Sequence, residues 1–508
     1  MNQVTVCFAN EIYLYLFEYE VGNIMKRNSL KINAILNGLK QCFGIIFPLI
    51  TFPYVSRVLG EEGFGKYSFS WSVVSYFVLL AGFGISTYAI REGARIRDNK
   101  QKLSIFCSEV FTINIITTIL SFLLLMIVSI ASGKIHGYIS LIIVESSALI
   151  LNLVGRDWMN SIYEDYIYIT IRYLIIQIIS LILMFALIRS SDDVWKYCAI
   201  SIFASFGGNI FNVFYLRRYP KTRVVAPKIK KHISTLLVLF ATQVAITVYV
   251  NADITMLGFF SNNSIVGIYS LASKIYSMVK TVVNAMVLAT LPRMTYIIGN
   301  APEEYNNAIR KISSYLIVIL IPTALGIFML SDEIILIVGG ANYKTGGLTL
   351  RILSGAIIIA VLCSFCMNSI LIAHRQEGAC LKATMLSATV NVLLNFVALP
   401  LWNMTGAAIT TIIAEAVNLF ILLKSSGKII NLKLFDWKNV IQSILASTII
   451  VFICFLVQRQ NLTLILTVII SVIICVVSYF TILFFMGNNC IREMLEVVKY
   501  KIFRRGQN

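Results

Sequence analysis

Charged side chains are scarce in this sequence of 508 residues: they make up 13% of it, whereas hydrophobic residues make up 58%. Soluble domains typically contain about 25% charged and about 45–50% apolar residues. The shortage of charge therefore excludes an ordinary soluble domain. It indicates instead a protein that crosses a membrane many times.

Patterns typical of catalytic or metal sites are also missing. The 10 cysteines lie mostly inside apolar runs, and the 3 histidines, His136, His232 and His374, are far apart. Cys363 and Cys366 have the spacing of a redox pair, but they fall in the middle of an apolar run, where small packing residues are common. We therefore expect no cofactor, no bound metal and no enzymatic activity.

The net charge of +18 would suggest nucleic acid as a partner in a soluble chain. Here the basic residues lie in short gaps between apolar runs, and no aromatic-basic signature of nucleic-acid binding accompanies them. We interpret the charge as a topology signal and expect no nucleic-acid partner.

The apolar runs predict an all-α, polytopic membrane protein of about fourteen transmembrane helices, because each run is long enough to span, or nearly span, a bilayer. The predicted spans are residues 34–55, 67–89, 103–131, 139–158, 167–188, 194–215, 236–260, 265–291, 312–330, 348–372, 381–401, 406–423, 440–457 and 462–486.

The distribution of Lys and Arg predicts the orientation of these spans. If both termini are cytoplasmic, 31 of the 42 basic residues fall on the cytoplasmic side and 8 on the outer side. This is the asymmetry that the positive-inside rule requires. We therefore expect a multi-pass protein with both its N terminus and its C terminus in the cytoplasm.

The first 24 residues differ from the rest, because they contain three glutamates and no basic residue. Met25, followed by Lys26 and Arg27, begins a basic segment of the kind expected before a first membrane helix. We interpret residues 1–24 as an extension ahead of the true start, with Met25 as the initiator. No cleavable signal peptide is expected after it.

One segment occurs twice. Residues 46–91 form two apolar runs joined by a short polar turn at residues 57–66, which predicts a transmembrane hairpin. Its Leu-Gly pair and its Gly-x-Tyr-Ser tetrad, residues 59–60 and 65–68, return at residues 257–258 and 267–270. The repeat predicts two homologous halves of six helices each.

We accordingly divide the chain at its most basic internal loop, which carries seven Lys and Arg residues and two prolines. The predicted parts are the extension (1–24), an N-terminal half (25–218), a basic cytoplasmic linker (219–231), a C-terminal half (232–425), and two extra transmembrane helices with a basic cytoplasmic tail (426–508).

The hairpin also carries a resemblance to a known family. The order Pro53-Tyr54-x-x-Arg57-x-Leu59-Gly60-x-x-x-Phe64-Gly65-x-Tyr67-Ser68 is similar to the first loop of the polysaccharide repeat-unit (O-antigen or capsule, Wzx-like) flippases. These belong to the multidrug/oligosaccharidyl-lipid/polysaccharide exporter superfamily. The similarity continues through Asp253-Ile254-x-Met256-Leu257-Gly258 and Leu291-Pro292-Arg293, and it covers roughly residues 30–425.

The resemblance implies a function. Such flippases move oligosaccharide repeat units, linked through diphosphate to a polyprenol, from the cytoplasmic to the outer leaflet of the bacterial plasma (inner) membrane. Two helical bundles open alternately to either side. The implied partners are this lipid-linked oligosaccharide, membrane lipids, an H⁺ or Na⁺ counter-ion and polysaccharide polymerase machinery. The product would be a surface polysaccharide such as O-antigen, capsule or exopolysaccharide.

Basic residues inside the spans are candidates for binding this cargo. An intramembrane charge costs a few kcal/mol, so such residues usually face an aqueous cavity or a partner. A lipid diphosphate needs cations, whereas a cationic drug needs carboxylates. We predict Lys274, Lys280, Lys40 and Arg351 as substrate-binding residues.

Acidic residues inside the spans are candidates for coupling to an ion. We predict this role for Asp253 and Glu145. For Glu109, Glu415 and Arg351, whose spans are long or have uncertain ends, two alternatives stay open: they face an aqueous cavity or a partner, or they reach the membrane surface. At about 1.5 Å of rise per residue, Asp253 and Lys274 lie level on adjacent helices. We expect them to form an ion pair.

Other classes of protein stay open. A cation-coupled multidrug exporter shares the superfamily, but the lysines and the first-loop motif argue against it. A lipid II flippase shares the fold and is not excluded by spacing. A membrane polysaccharide polymerase or glycosyltransferase is less favoured, since its catalytic residues need a large outer loop and no outer loop here exceeds about 15–20 residues.

Overall fold

A computed structural model describes residues 30–430, 436–493 and 496, and all regular structure in them is helical. The predicted extension, Met25 and most of the C-terminal tail lie outside the described residues. The names N-terminal half and C-terminal half are kept as labels for the predicted ranges 25–218 and 232–425. The helices in the first range are α1 Leu30–Gly82, α2 Ile85–Ile96, α3 Lys100–Ala131, α4 Gly133–His136, α5 Ile139–Gly155, α6 Asp157–Ile162, α7 Tyr166–Leu187, α8 Val194–Phe206 and α9 Gly208–Tyr215.

A 3₁₀ turn at Leu216–Arg218 follows α9, and residues 219–228 contain no helix. The later helices are α10 Ile229–Phe260, α11 Asn263–Leu288, α12 Leu291–Asn300, α13 Tyr305–Met329, α14 Ser331–Gly339, α15 Gly346–Phe365, α16 Glu377–Ser426, α17 Trp437–Gln458 and α18 Leu464–Phe485. A π-helix, Cys366–Ile372, extends α15.

Twelve helical segments in the described part are long and apolar enough to cross a membrane. Many large apolar side chains on them are exposed, for example Ile127, Phe396 and Val477. In a bilayer such side chains contact lipid, and the backbone polar groups are satisfied within each helix. The chain is therefore a multi-pass, all-α membrane protein, as predicted.

The helix α1 contains the predicted hairpin. The rings of Phe52 and Phe64 are 5.6 Å apart, whereas twelve residues of straight helix would separate them by about 18 Å. The chain reverses at Gly60, whose φ of 67° lies outside the helical region and suits glycine. The predicted polar turn over residues 57–66 is wrong in its extent, because helix continues on both sides of this single residue.

The helix α16 reverses in the same way at Asn403, which has a φ of 47°. The Thr410 hydroxyl donates to the Asn395 side chain at 2.6 Å, although the two residues are fifteen positions apart in sequence. Two of the twelve segments are thus hairpins with two arms each. This arrangement is compatible with fourteen crossings, and that number stays a prediction.

The repeated tetrads meet each other where the two halves touch. A Cβ on Gly65 would lie 1.8 Å from the carbonyl oxygen of Asn263, and a Cβ on Gly267 would lie 1.9 Å from that of Glu61. Only glycine allows the backbones of α1 and α11 to approach this closely. The tetrad glycine of each half is therefore part of the contact between the halves.

Further contacts join the halves at the same end, which we call the hairpin end. Ser56 donates to the carbonyl oxygen of Val338 at 2.7 Å, and Arg57 donates to that of Ile337. Tyr138 donates to the Asn263 side chain. In this conformation the halves are therefore closed at the end that contains Gly60.

At the opposite end the first turns of α10 pack on the N-terminal half. His232 is fully buried, with its ring nitrogens 2.7 Å from the Tyr88 hydroxyl and 3.0 Å from a Glu109 oxygen. Glu109 is therefore a buried partner of His232.

Candidate functional site

Asp253 lies in the middle of a polar cluster inside the C-terminal half. Its two carboxylate oxygens accept hydrogen bonds from Tyr269 at 2.6 Å, Asn395 at 2.6 Å and Thr411 at 2.8 Å. These donors come from α11 and from both arms of the α16 hairpin. All three are neutral, so they stabilise a negative charge on Asp253 without neutralising it.

A small cavity of about 50 Å³ opens beside this cluster, and Asp253, Glu415 and Lys280 all line it. The Lys280 ammonium lies 3.7 Å from a Glu415 oxygen, and the same oxygen accepts a hydrogen bond from Tyr276 at 3.1 Å. A water molecule needs roughly 10–15 Å³, so the cavity has room for a few waters or a small ion.

Lys274 points elsewhere. Its ammonium lies over the ring of Phe52, 5.4 Å from the ring centre, and so reaches across to the N-terminal half. The Lys274 side chain is exposed, although Ala272 and Tyr276, each two residues away in the chain, are buried. The expected ion pair between Asp253 and Lys274 is therefore wrong in this conformation, because three neutral donors occupy Asp253.

Glu145 lies in the N-terminal half, away from these residues. It is fully buried, Ser70 donates to one of its oxygens at 3.0 Å, and the other oxygen has no hydrogen-bond partner among the described residues. A charged carboxylate with an unpaired buried oxygen is costly. The site supports a negative charge less well than the Asp253 cluster does.

The two remaining predicted cations have local partners, although Arg351 is only two residues from Leu353, which lines the Asp253 cavity. Lys40 lies over the Tyr173 ring at 5.4 Å, within the N-terminal half. Arg351 pairs with Asp332 at 2.7 Å, near the start of α15. Of the six predicted site residues, Asp253 and Lys280 line the same cavity.

Sequence reasoning did not place every member of this cluster. The polar side chain of Asn395 would suit a sugar contact, but in the structure it donates a hydrogen bond to Asp253. Glu415 is 3% exposed and faces the cavity, which decides between its two alternatives. The four-residue spacing of Asn391 and Asn395 on one helix face was the available signal.

A larger cavity of about 380 Å³ lies between α13 and the two last helices. Its lining is almost entirely apolar and includes Ile319, Pro322, Val468 and Val472. Val279 of α11 also lines it, and the next residue, Lys280, belongs to the polar cluster. An apolar cavity therefore reaches the helix that carries Lys274 and Lys280.

These residues fall largely in a region with a known family signature. A family model described as polysaccharide biosynthesis protein matches residues 30–298. The chain belongs to this family. The match includes the α1 hairpin, Asp253, Lys274 and Lys280, and it confirms the resemblance that the hairpin motif indicated.

Individual members of the superfamily are also similar. The "Putative O-antigen transporter" of Escherichia coli (strain K12) is 23% identical over 405 residues, which are 76% of this chain and 94% of the relative. The "Probable low-salt glycan biosynthesis flippase Agl15" of Haloferax volcanii is 28% identical over 167 residues, 33% of this chain and 35% of the relative.

A solved structure, "Lipid II flippase MurJ, inward closed conformation", matches with a TM-score of 0.69 and 18% identity, over 88% of this chain and 98% of that chain. At this level of identity the likeness shows a shared fold alone.

Proposed function

We propose that this protein is a flippase that moves polyprenyl-diphosphate-linked oligosaccharide from the cytoplasmic to the outer leaflet for the synthesis of a surface polysaccharide. The observation that carries the proposal is Lys274, an exposed cation in the middle of an apolar helix that contacts Phe52 of the other half. A cation at that depth faces an aqueous cavity or a partner.

The charge of Lys274 favours an anionic cargo. No carboxylate in the described residues forms an ion pair with it, whereas Lys280 is already paired with Glu415. A diphosphate entering between the halves would supply the missing negative charge. A cationic drug would instead need a carboxylate in a large cavity, whereas Asp253 and Glu415 are buried beside a cavity of only about 50 Å³.

The apolar cavity beside α13, α17 and α18 supports a lipid cargo. It is about 380 Å³ in volume and reaches Val279, one residue from Lys280. A polyprenyl chain could lie there while its diphosphate contacts α11. In this proposal α17 and α18, the two helices beyond the repeat, help to hold the lipid.

Asp253 is the proposed site for a coupling ion, H⁺ or Na⁺. The carboxylate oxygens of Asp253 lie beside the hydroxyl oxygens of Tyr269 and Thr411, and such oxygens suit a hard cation. Glu145 is the corresponding candidate in the N-terminal half. Transport by alternating access needs no covalent chemistry, so the proposed protein is not an enzyme.

A test of the cargo proposal replaces Lys274. In a strain that lacks the native gene, Lys274→Ala should abolish export of the surface polysaccharide while protein levels stay near normal. Lys274→Arg should restore part of the export because it keeps the charge. Lys382→Ala, which removes an exposed lysine near the start of α16, is the matched control and should export normally. Normal polymer from Lys274→Ala would remove this lysine from the mechanism.

The proposed topology has fourteen crossings, both termini in the cytoplasm and a location in the bacterial inner membrane. It rests on the excess of basic residues on one side. Reporter fusions after Lys231 and Lys438 should give cytoplasmic signals, and fusions at Asn262 and Asn461 should give external ones. An external signal at Lys231 would overturn this topology.

A further inference from the structure

A second polar cavity lies away from the cluster around Asp253, where the N-terminal half meets the linker. Its volume is about 470 Å³, and it is lined by Arg156 between α5 and α6 and by residues of the segment 213–223. Arg156 has a φ of 45°, so the chain turns sharply there and directs the start of α6 away from α5. We call this the linker pocket.

The linker pocket is strongly basic. Arg156, Arg217, Lys221 and Arg223 line it, and no carboxylate does. None of the four forms an ion pair with a carboxylate among the described residues. Arg156 donates to Thr222 and lies over the Phe111 ring, while Arg217 lies over the Phe214 ring.

The acids closest in sequence are engaged by other partners. Both oxygens of Asp157 accept from Arg172 at 2.8 Å, and Asp165 accepts from Tyr215 and Tyr219. They are therefore not arranged to neutralise the four cations. Such a concentration of unpaired positive charge in a concave site attracts an anion.

The surroundings of the pocket are apolar and exposed. Phe211, Phe214 and Val224 are 54%, 62% and 69% exposed, and Val213 lines the pocket itself. A basic pocket next to an exposed apolar surface suits an anion that carries hydrocarbon chains. Basic pockets between membrane helices on the cytoplasmic side bind phospholipid head groups in this way.

We propose that the linker pocket binds a phosphate-bearing anion, either the head group of an anionic phospholipid or free phosphate. The guanidinium groups of Arg156, Arg217 and Arg223 supply paired donors that match phosphate oxygens. The site is separate from the proposed cargo and ion sites, and its test requires no transport.

The test measures binding to the purified full-length protein in detergent. The pocket variant is Arg217→Gln, Lys221→Gln and Arg223→Gln together, and all three side chains are exposed, so we expect it to fold. The matched control is Lys228→Gln, Lys230→Gln and Lys231→Gln together. It removes the same charge from the same segment, also at exposed positions, but outside the pocket.

Fluorescent phosphatidylglycerol should bind wild type and the control variant with similar affinity. Each basic residue near a lipid surface contributes about a fivefold increase in affinity, so the pocket variant should bind on the order of a hundredfold more weakly. Phosphatidylcholine, which has no net charge, should bind all three proteins equally weakly.

Inorganic phosphate distinguishes the two sources of the anion. Displacement of the probe by millimolar phosphate assigns the site to free phosphate, whereas retention of the probe assigns it to a lipid head group. Equal loss of binding in the pocket and control variants, or no loss in the pocket variant, would overturn the proposal. Normal export by Lys274→Ala would count against the proposed cargo mechanism and would leave this binding result unchanged.

Discussion

Glu145 and Asp253 are buried carboxylates in the two halves of the molecule, and their surroundings differ. Glu145 has a single hydroxyl donor, Ser70, and an oxygen without a partner. Asp253 has three donors and lines a cavity of about 50 Å³ that also contains Glu415 and Lys280. The carboxylate of Glu145 is therefore enclosed by the protein, whereas that of Asp253 is accessible from a cavity.

The difference teaches that burial alone does not make a coupling site. An exchangeable ion needs space and several oxygen ligands, because it gives up its hydration shell on binding. The Asp253 cluster offers both. Glu145 has one hydroxyl donor, and its second oxygen has no hydrogen-bond partner among the described residues, so it is the weaker of the two candidates.

The largest expected effect comes from removing the charge at Asp253. Asp253→Asn replaces an acceptor oxygen with an NH₂ donor that faces other donors, and each hydrogen bond to a charged group contributes about 1.5–3 kcal/mol. We expect the apparent affinity for the coupling ion to fall about tenfold or more, measured as the ion dependence of polysaccharide export. Glu145→Gln should leave that dependence close to wild type.

The opposite pattern would reverse the comparison. If Glu145→Gln abolishes ion dependence while Asp253→Asn keeps it, the coupling site lies in the N-terminal half. If both variants lose it, the two carboxylates act together. Protein levels and detergent melting curves of both variants separate these outcomes from misfolding.

A smaller effect is expected from changing the tetrad glycines, which make equivalent contacts in the two halves. Gly65→Ala and Gly267→Ala would each place a methyl group less than 2 Å from a carbonyl oxygen of the other half. Overpacking of this kind costs typically 1–3 kcal/mol. Both variants should melt at lower temperature in detergent, and by similar amounts, because the two clashes are nearly equivalent.

Gly299→Ala is the control, since a Cβ there would meet no atom within 4 Å. Alanine favours helix over glycine by up to about 1 kcal/mol, so this variant should melt at the same temperature or slightly higher. If Gly65→Ala melts like Gly299→Ala, the close contact at the hairpin end is not present in the protein.

The membrane helices and the hairpin could be predicted because both depend on local sequence. A run of apolar residues is helical in a bilayer whatever its neighbours, since its backbone has no other hydrogen-bond partners. The Leu-Gly pair and the tetrad mark a reversal, and the chain does reverse at Gly60. The extent of the turn was wrong because only one residue leaves the helix.

The pairing of charges could not be predicted in the same way. Helical rise gives the depth of Asp253 and Lys274, and depth alone suggested a pair. The direction in which each side chain points depends on which other helix packs beside it. The α16 hairpin brings Asn395 and Thr411 to Asp253, whereas Lys274 turns towards Phe52 of the other half.

The sequence by itself determined the class of the protein, the positions of its membrane helices, the hairpin and the family resemblance. Each follows from hydropathy or from short motifs within one stretch of chain. The tertiary structure alone decided which buried charges meet, because side chains from α10, α11 and α16 converge on Asp253 from distant parts of the chain. It also decided that the glycines of the two tetrads pack together, since that contact exists only where the halves close at the hairpin end.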